Sequence, residues 1–192
     1  MSDSENEEMA AKDQRDAEDL PLLSLLTEDF DTHERKLTSP GFWALAAHRV
    51  GSRIRAVEGD ATRERLGLVH KVLATTVDWV WGIRVPLSTR VGRRVHIWHF
   101  GSMLLNARSI GNDVHIRHDT TFGPLRSSHT PRPESLPVIE DGADIGSGAC
   151  VMGGLTVGRG AKVGANTVVL ESVPAGVTVF GVPARMLRMP TP

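Results

Sequence analysis

From Val85 onward an aliphatic residue returns every six positions, and no other feature restricts the fold of this chain as tightly. The series runs Val85, Val91, Ile97 and Met103, then slips by one residue at Ser109 to Ile110, Ile116 and Phe122. It resumes as Ile139, Ile145, Val151, Val157, Val163 and Val169. Small or β-branched residues stand four positions after most of these, as at Val95, Ala107, Val114, Ala143, Ala149 and Ala161. A period of six fits neither the helical repeat of about 3.6 nor the strand repeat of about 2. It fits hexapeptide repeats, in which three short sides close one triangular coil with the aliphatic residues pointing inward. Glycines such as Gly92, Gly111, Gly146, Gly158 and Gly164 relax the backbone at the corners. Coils of this kind stack at a strand spacing of roughly 4.8 Å. The expected class is mostly β, a left-handed parallel β-helix over 83–192 with a C-terminal tail. The hairpin turns that an antiparallel sandwich needs every 8–12 residues or so are absent.

Upstream the pattern turns helical, and 21–82 reads as a small helical domain. "SPGFWALAAHRVGSRIRAV" offers Ser39 as a cap and Pro40 as the first residue, with Phe42, Leu45, Ala46, Val50 and Ile54 on one face. A second amphipathic segment runs from about Ala61 to Trp81. Residues 1–20 are acidic and polar without apolar period, and read as a disordered tail. The stretch 124–137, "PLRSSHTPRPESLP", breaks the repeat and reads as a loop thrown out of one coil.

Composition excludes several functions. With 22 Lys plus Arg against 23 Asp plus Glu, the balance argues against a nucleic-acid binder. No apolar run is long enough to span a bilayer, and the acidic N-terminus is the opposite of a secretory signal. A cytoplasmic protein with no membrane partner is expected. The single cysteine, Cys150, forbids an internal disulfide and reads as a small buried filler.

Four histidines fall in "RVGRRVHIWHFGSMLLNARSIGNDVHIRHDTTFG", residues 90–123. His99 follows Ile97 by two positions, and His118 follows Ile116 by two. They are nineteen residues apart, one coil plus the slip, so they should stand on adjacent coils. His96 and His115 repeat the relation and form a second column.

Three motifs then resemble the serine acetyltransferase family, chiefly its shorter members. They are "PGFWALAAHRVG", then "VGRRVHIWHFGSMLLN" continued by "IGNDVHIRHDTTFG", and finally "LTVGRGAKVGANTVVLESVPAGVTVFGVPARMLR". The resemblance implies an acetyl-CoA-dependent O-acetyltransferase that takes serine or a related small alcohol. It places the general base on His99, and its imidazole suits that work near neutral pH. It also implies acetyl-CoA in a groove between subunits of a homotrimer, with a hexamer as the alternative. Gly123, Ser147 and Ala165 would lie along the CoA arm, and Lys162 and Arg185 near its phosphates. No metal is expected.

The departures fall on the acceptor side. The family's aspartate that orients the catalytic histidine aligns with Arg84, which has only donors. Asp119 is the candidate replacement. Trp98 replaces a carboxylate expected to hold the serine ammonium, and an aromatic face suits a sugar or larger alcohol. The family's second histidine, in a short Arg-His-Pro loop, is missing near Ser135 and Leu136. The loop instead offers Arg126, His129, Arg132 and Glu134. Trp98, His118, His129 and Arg132 are therefore the candidate acceptor residues. Two rivals stay open: a three-histidine zinc enzyme resembling γ-class carbonic anhydrases, and a non-catalytic scaffold.

Overall fold

A short apolar side every six residues can be buried only if successive sides turn back around a common axis, and the chain does this. The structure is a computed structural model and describes residues 17, 19–55, 60–126 and 131–187. The presumed tail over 1–20 therefore lies outside the described residues except for Ala17, Asp19 and Leu20. Of these, Ala17 is buried. Among the described residues, the helices α1 (Leu22–Thr32), α2 (Pro40–Arg55) and α3 (Asp60–Trp81) precede the strands.

Strands of two or three residues follow. The first sheet stacks β1 (Ile83–Arg84), β4 (Met103–Leu105), β7 (Thr121–Gly123), β10 (Cys150–Met152) and β13 (Val168–Val169). The second stacks β2 (Arg90–Val91), β5 (Ser109–Ile110), β8 (Val138–Ile139) and β11 (Thr156–Val157). The third stacks β3 (His96–Ile97), β6 (His115–Ile116), β9 (Asp144–Ile145), β12 (Lys162–Val163), β14 (Thr178–Phe180) and β15 (Arg185–Met186). Neighbours in a sheet are mostly three strands apart along the chain, so each coil gives one strand to each side. All pairings are parallel except β14 with β15. The fold is the left-handed parallel β-helix that the period predicts.

The interior is three aliphatic columns. Leu105, Phe122, Val151 and Val169 fill one side, Ile110, Ile139 and Val157 the second, and Ile97, Ile116, Ile145 and Val163 the third. Fully burying each such side chain contributes about 1.5–3 kcal/mol. The small residues Val95, Val114, Ala143 and Ala161 close the corners.

Two readings of the repeat change. Leu105 and not Met103 pairs with Phe122 in the first column, while Met103 pairs with Ile83. The irregularity is therefore not a slip at Ser109. Eight positions separate Ile97 from Leu105, two more than a hexad, and five separate Leu105 from Ile110. The stretch 98–103 is thus two residues longer than its counterpart 117–120 on the next coil. Cys150 is not a core filler either: Val151 takes the inward position on β10, and strand alternation leaves the half-buried thiol on the outer face.

A β-helix has an open end, where the first coil presents unpaired backbone groups. The helices cover it with polar side chains. His48 Nε2 donates to Thr89 O at 2.9 Å, and Arg49 donates to Val91 O at 2.7 Å and to Gly92 O. Buried Asp29 pairs with Arg49 at 3.1 Å, and Glu28 pairs with Arg93. His33 donates from Nδ1 to Asp29 O at 2.7 Å and accepts the Ile97 N–H at Nε2, 3.3 Å away. This second pairing fixes a neutral tautomer, and burial pushes the pKa of His33 down to match. Gly41 lets α2 approach so closely that a Cβ there would overlap Ile97 O. The buried face of α2 therefore includes Ala44, Ala47, His48 and Arg49, while Val50 and Ile54 are only half-buried. No helix among the described residues is long and apolar enough to cross a membrane.

Candidate active site

The turn that carries each strand of the third sheet into the first makes one corner of the prism. In the later coils this corner is compact. Asp119, Gly148 and Asn166 are its left-handed residues, with φ of 60°, 68° and 53°. The residues before them, His118, Ser147 and Ala165, stack in register: Gly148 N donates to His118 O at 2.9 Å and Asn166 N to Ser147 O at 2.8 Å. Side chains shrink down that column, leaving the corner open below His118.

The first coil builds the corner differently. Its two extra residues produce a protruding turn in which His99 itself is left-handed, φ 64°. Aspartate, asparagine and histidine adopt this region more readily than other non-glycine residues, though still uncommonly. Gly101, at φ 152°, allows the turn to sit against the next coil, where a Cβ would overlap Asp119 Oδ1. The His99 side chain is exposed, and its ring meets that of His118 edge to face with centroids 5.7 Å apart. The pairing of these two histidines is therefore legible in the sequence, but the edge-on contact comes from the lengthened turn. His118 Nδ1 is buried and has no hydrogen-bond partner among the described residues.

His96 and His115 occupy the outer face of the third sheet in direct register, with ring centroids 5.8 Å apart. Trp98 stacks flat on His96, centroids 3.8 Å apart, and its Nε1 donates to His115 Nδ1 at 3.1 Å. His33 closes the other side of His96 at 4.7 Å. Burial, and then the neighbouring His33 and His115, push the pKa of His96 down to about 4. Trp98 is thus anchored to the coil by its own neighbours. His33 is the contributor that sequence reasoning missed, because nothing local links it to a strand more than sixty residues later. Among the described residues no three His, Cys, Asp or Glu side chains gather to hold a metal.

The acidic candidates are engaged elsewhere. Asp119 Oδ1 accepts the Ser102 N–H at 3.1 Å, and no hydrogen bond joins Asp119 to His99 among the described residues. Arg84 is held by Asp78, Nε to Oδ2 3.0 Å.

The remaining candidates fall in other places. Lys162 is exposed on β12 and Arg185 on β15, both in the third sheet. Gly123 ends β7 at the opposite end of the first sheet. There the loop opens a groove of about 760 Å³ that Arg126, Arg132, Met152 and Leu170 help to line. A strand of three residues, roughly 10 Å, separates that groove from the histidine corner within one chain. His129 lies outside the described residues.

No protein-family model matches the chain. It is 35% identical to a serine acetyltransferase of Bacillus licheniformis over 152 residues, 79% of this chain and 66% of that protein. It is 31% identical to the serine acetyltransferase of Bacillus pumilus over 178 residues, 86% of this chain and 77% of that protein. Soybean serine acetyltransferase, solved as the apoenzyme and in complex with serine, superposes with a TM-score of 0.72 at 28% identity. That match covers 89% of this chain and 71% of the soybean chain.

Proposed function

The chain belongs to the serine acetyltransferase family, and from that premise we propose that it transfers an acetyl group from acetyl-CoA to a small hydroxyl acceptor. His99 is the general base. Its free ring nitrogen takes the hydroxyl proton as the oxygen attacks the thioester carbonyl carbon. The C–S bond then breaks, and the imidazolium returns the proton to the departing thiol. Products are the acetyl ester and free CoA. General-base assistance of this kind is worth about 10²–10⁴-fold. The observation that supports the reading best is the lengthened turn, which stands an exposed imidazole above a corner whose side chains shrink to Ser147 and Ala165.

Serine is the first acceptor to try, since relatives carry that activity in their names and the soybean enzyme was solved with serine. Trp98 favours a second reading. It precedes His99 in the chain, at the position where the family resemblance places a carboxylate, and an aromatic plane fixed on His96 suits the apolar face of a sugar.

The active unit is a homotrimer. The outer face of the first sheet carries Leu104, Cys150, Met152 and Val168 with Arg84 and Thr121, and exposed Leu170 follows its last strand, whereas the third carries His96, His115, Asp144, Lys162 and Thr178. Only the former resembles a face that another copy would cover. Packing there sets the histidine corner of one copy against the groove with Gly123 and Arg132 of the next. CoA then lies between copies, with Lys162 and Arg185 near its phosphates. The test is CoA release from acetyl-CoA with serine, homoserine, sugars and nucleotide-sugars, comparing wild type with His99→Ala. Turnover lost in the variant supports the reading; equal turnover in both overturns it.

A further inference from the structure

A histidine acting as base needs its second nitrogen held, so that the lone pair faces the substrate. In this corner no carboxylate does so. Arg84 stands at the position of the family's orienting aspartate and is tied to Asp78. Asp119, on the next coil, holds a backbone amide of the turn instead. What faces His99 is a second imidazole. His118 meets it edge to face at 5.7 Å, roughly half an ångström beyond what a linear N–H···N pair of imidazoles requires. Its Nδ1 is buried without a partner, so turning the ring about Cβ–Cγ breaks no bond of that nitrogen.

We propose that His118 is the positioning residue of His99. One ring nitrogen of His118 accepts the N–H of the His99 imidazole and holds the tautomer whose lone pair faces the acceptor hydroxyl. The inference rests on His99 being the base, and it replaces the expectation that His118 binds the acceptor. A neutral imidazole can serve because it accepts at one nitrogen while the other keeps its proton. The charged side chains on the neighbouring turns are engaged elsewhere. Arg117, on the turn of His118, is paired with Asp144; Ser147 and Gly148 from the coil below are uncharged; Arg84 from the coil above is paired with Asp78. His96 and His115 belong to the Trp98 stack.

The experiment has two arms on wild type, His118→Phe, His118→Gln and His99→Ala. The first is ¹⁵N NMR of the histidine rings from pH 5 to about 8 without substrate, which does not depend on the acceptor. The expected result is a single dominant His99 tautomer in wild type and a mixture in His118→Phe. In His118→Gln the tautomer is restored by the amide oxygen. The second arm is turnover of acetyl-CoA with L-serine. His118→Phe should lower kcat by about 10–100-fold with KM nearly unchanged, and His118→Gln should recover most of it. Unchanged His99 tautomers in His118→Phe overturn the proposal, as does a loss confined to KM. Equal turnover in His99→Ala and wild type instead overturns the reading of His99 as base, whatever the NMR shows.

Discussion

The corner at 146–148 and the corner at 98–102 occupy equivalent places in the β-helix, yet they are built for different ends. The first is Gly146, Ser147 and Gly148, in register with the coils on either side and small enough to leave the corner open. The second is Trp98, His99, Phe100, Gly101 and Ser102, in a stretch to Met103 that is two residues longer than the repeat allows, with a left-handed histidine. One corner serves the stack, and the other leaves it. Where every hexad agrees with its neighbours, side chains hold the scaffold together; where one hexad is overlong, an exposed histidine stands out from it.

Several changes would break or sharpen that contrast. The largest effect is expected from deleting Phe100 and Gly101, which restores the six-residue spacing from Ile97 to Leu105. The coil should still form, as judged by circular dichroism and oligomer mass, while acetyl transfer falls by about 10²–10⁴-fold, as for His99→Ala. A retained rate would show that the long turn is dispensable.

The covered end of the stack comes next. Asp29→Ala leaves Arg49 buried without its carboxylate and should cost about 3–5 kcal/mol in urea unfolding. Gly146→Ala, in the small corner, meets the backbone of Val163, Gly164 and Ala165. Its cost should be about 1–3 kcal/mol, the usual range for overpacking.

A pH series probes the same covered end. Burial first, and then the neighbouring Arg49, push His48 down to about 4 from the usual 6.5. The unfolded chain therefore takes up a proton that the folded chain refuses as pH falls below about 6.5. Stability present above that value is lost progressively toward pH 4, by up to about 3 kcal/mol from His48. His33 and His96 are shifted the same way and add to the loss. Thermal midpoints should fall from pH 7 to 5, and His48→Gln should flatten that fall.

The smallest effect on stability is the most discriminating. His99→Asn keeps a residue that tolerates the left-handed region, so stability should stay within about 1 kcal/mol of wild type while turnover collapses. A large loss of stability would make His99 a structural residue of the turn.

The sequence by itself determined the β-helix, because a six-residue aliphatic period is a covalent property and only a three-sided coil buries it. It also determined that His99 and His118 meet, and that His96 and His115 stack, since positions one coil apart become neighbours once the period is known. The Arg84 departure was legible too, as a missing acceptor. Other facts depended on contacts between segments distant in the chain. Whether the irregularity lay at Ser109 or at 98–102 was decided by Leu105 pairing with Phe122. That Asp119 serves Ser102 and Arg84 serves Asp78 was decided by which partner each side chain reaches first. His33 reached Ile97 only because α1 and α2 close the open end of the stack. A period is set along the chain, but the partner of each polar group is set across it, and that is where the chemistry of this corner was decided.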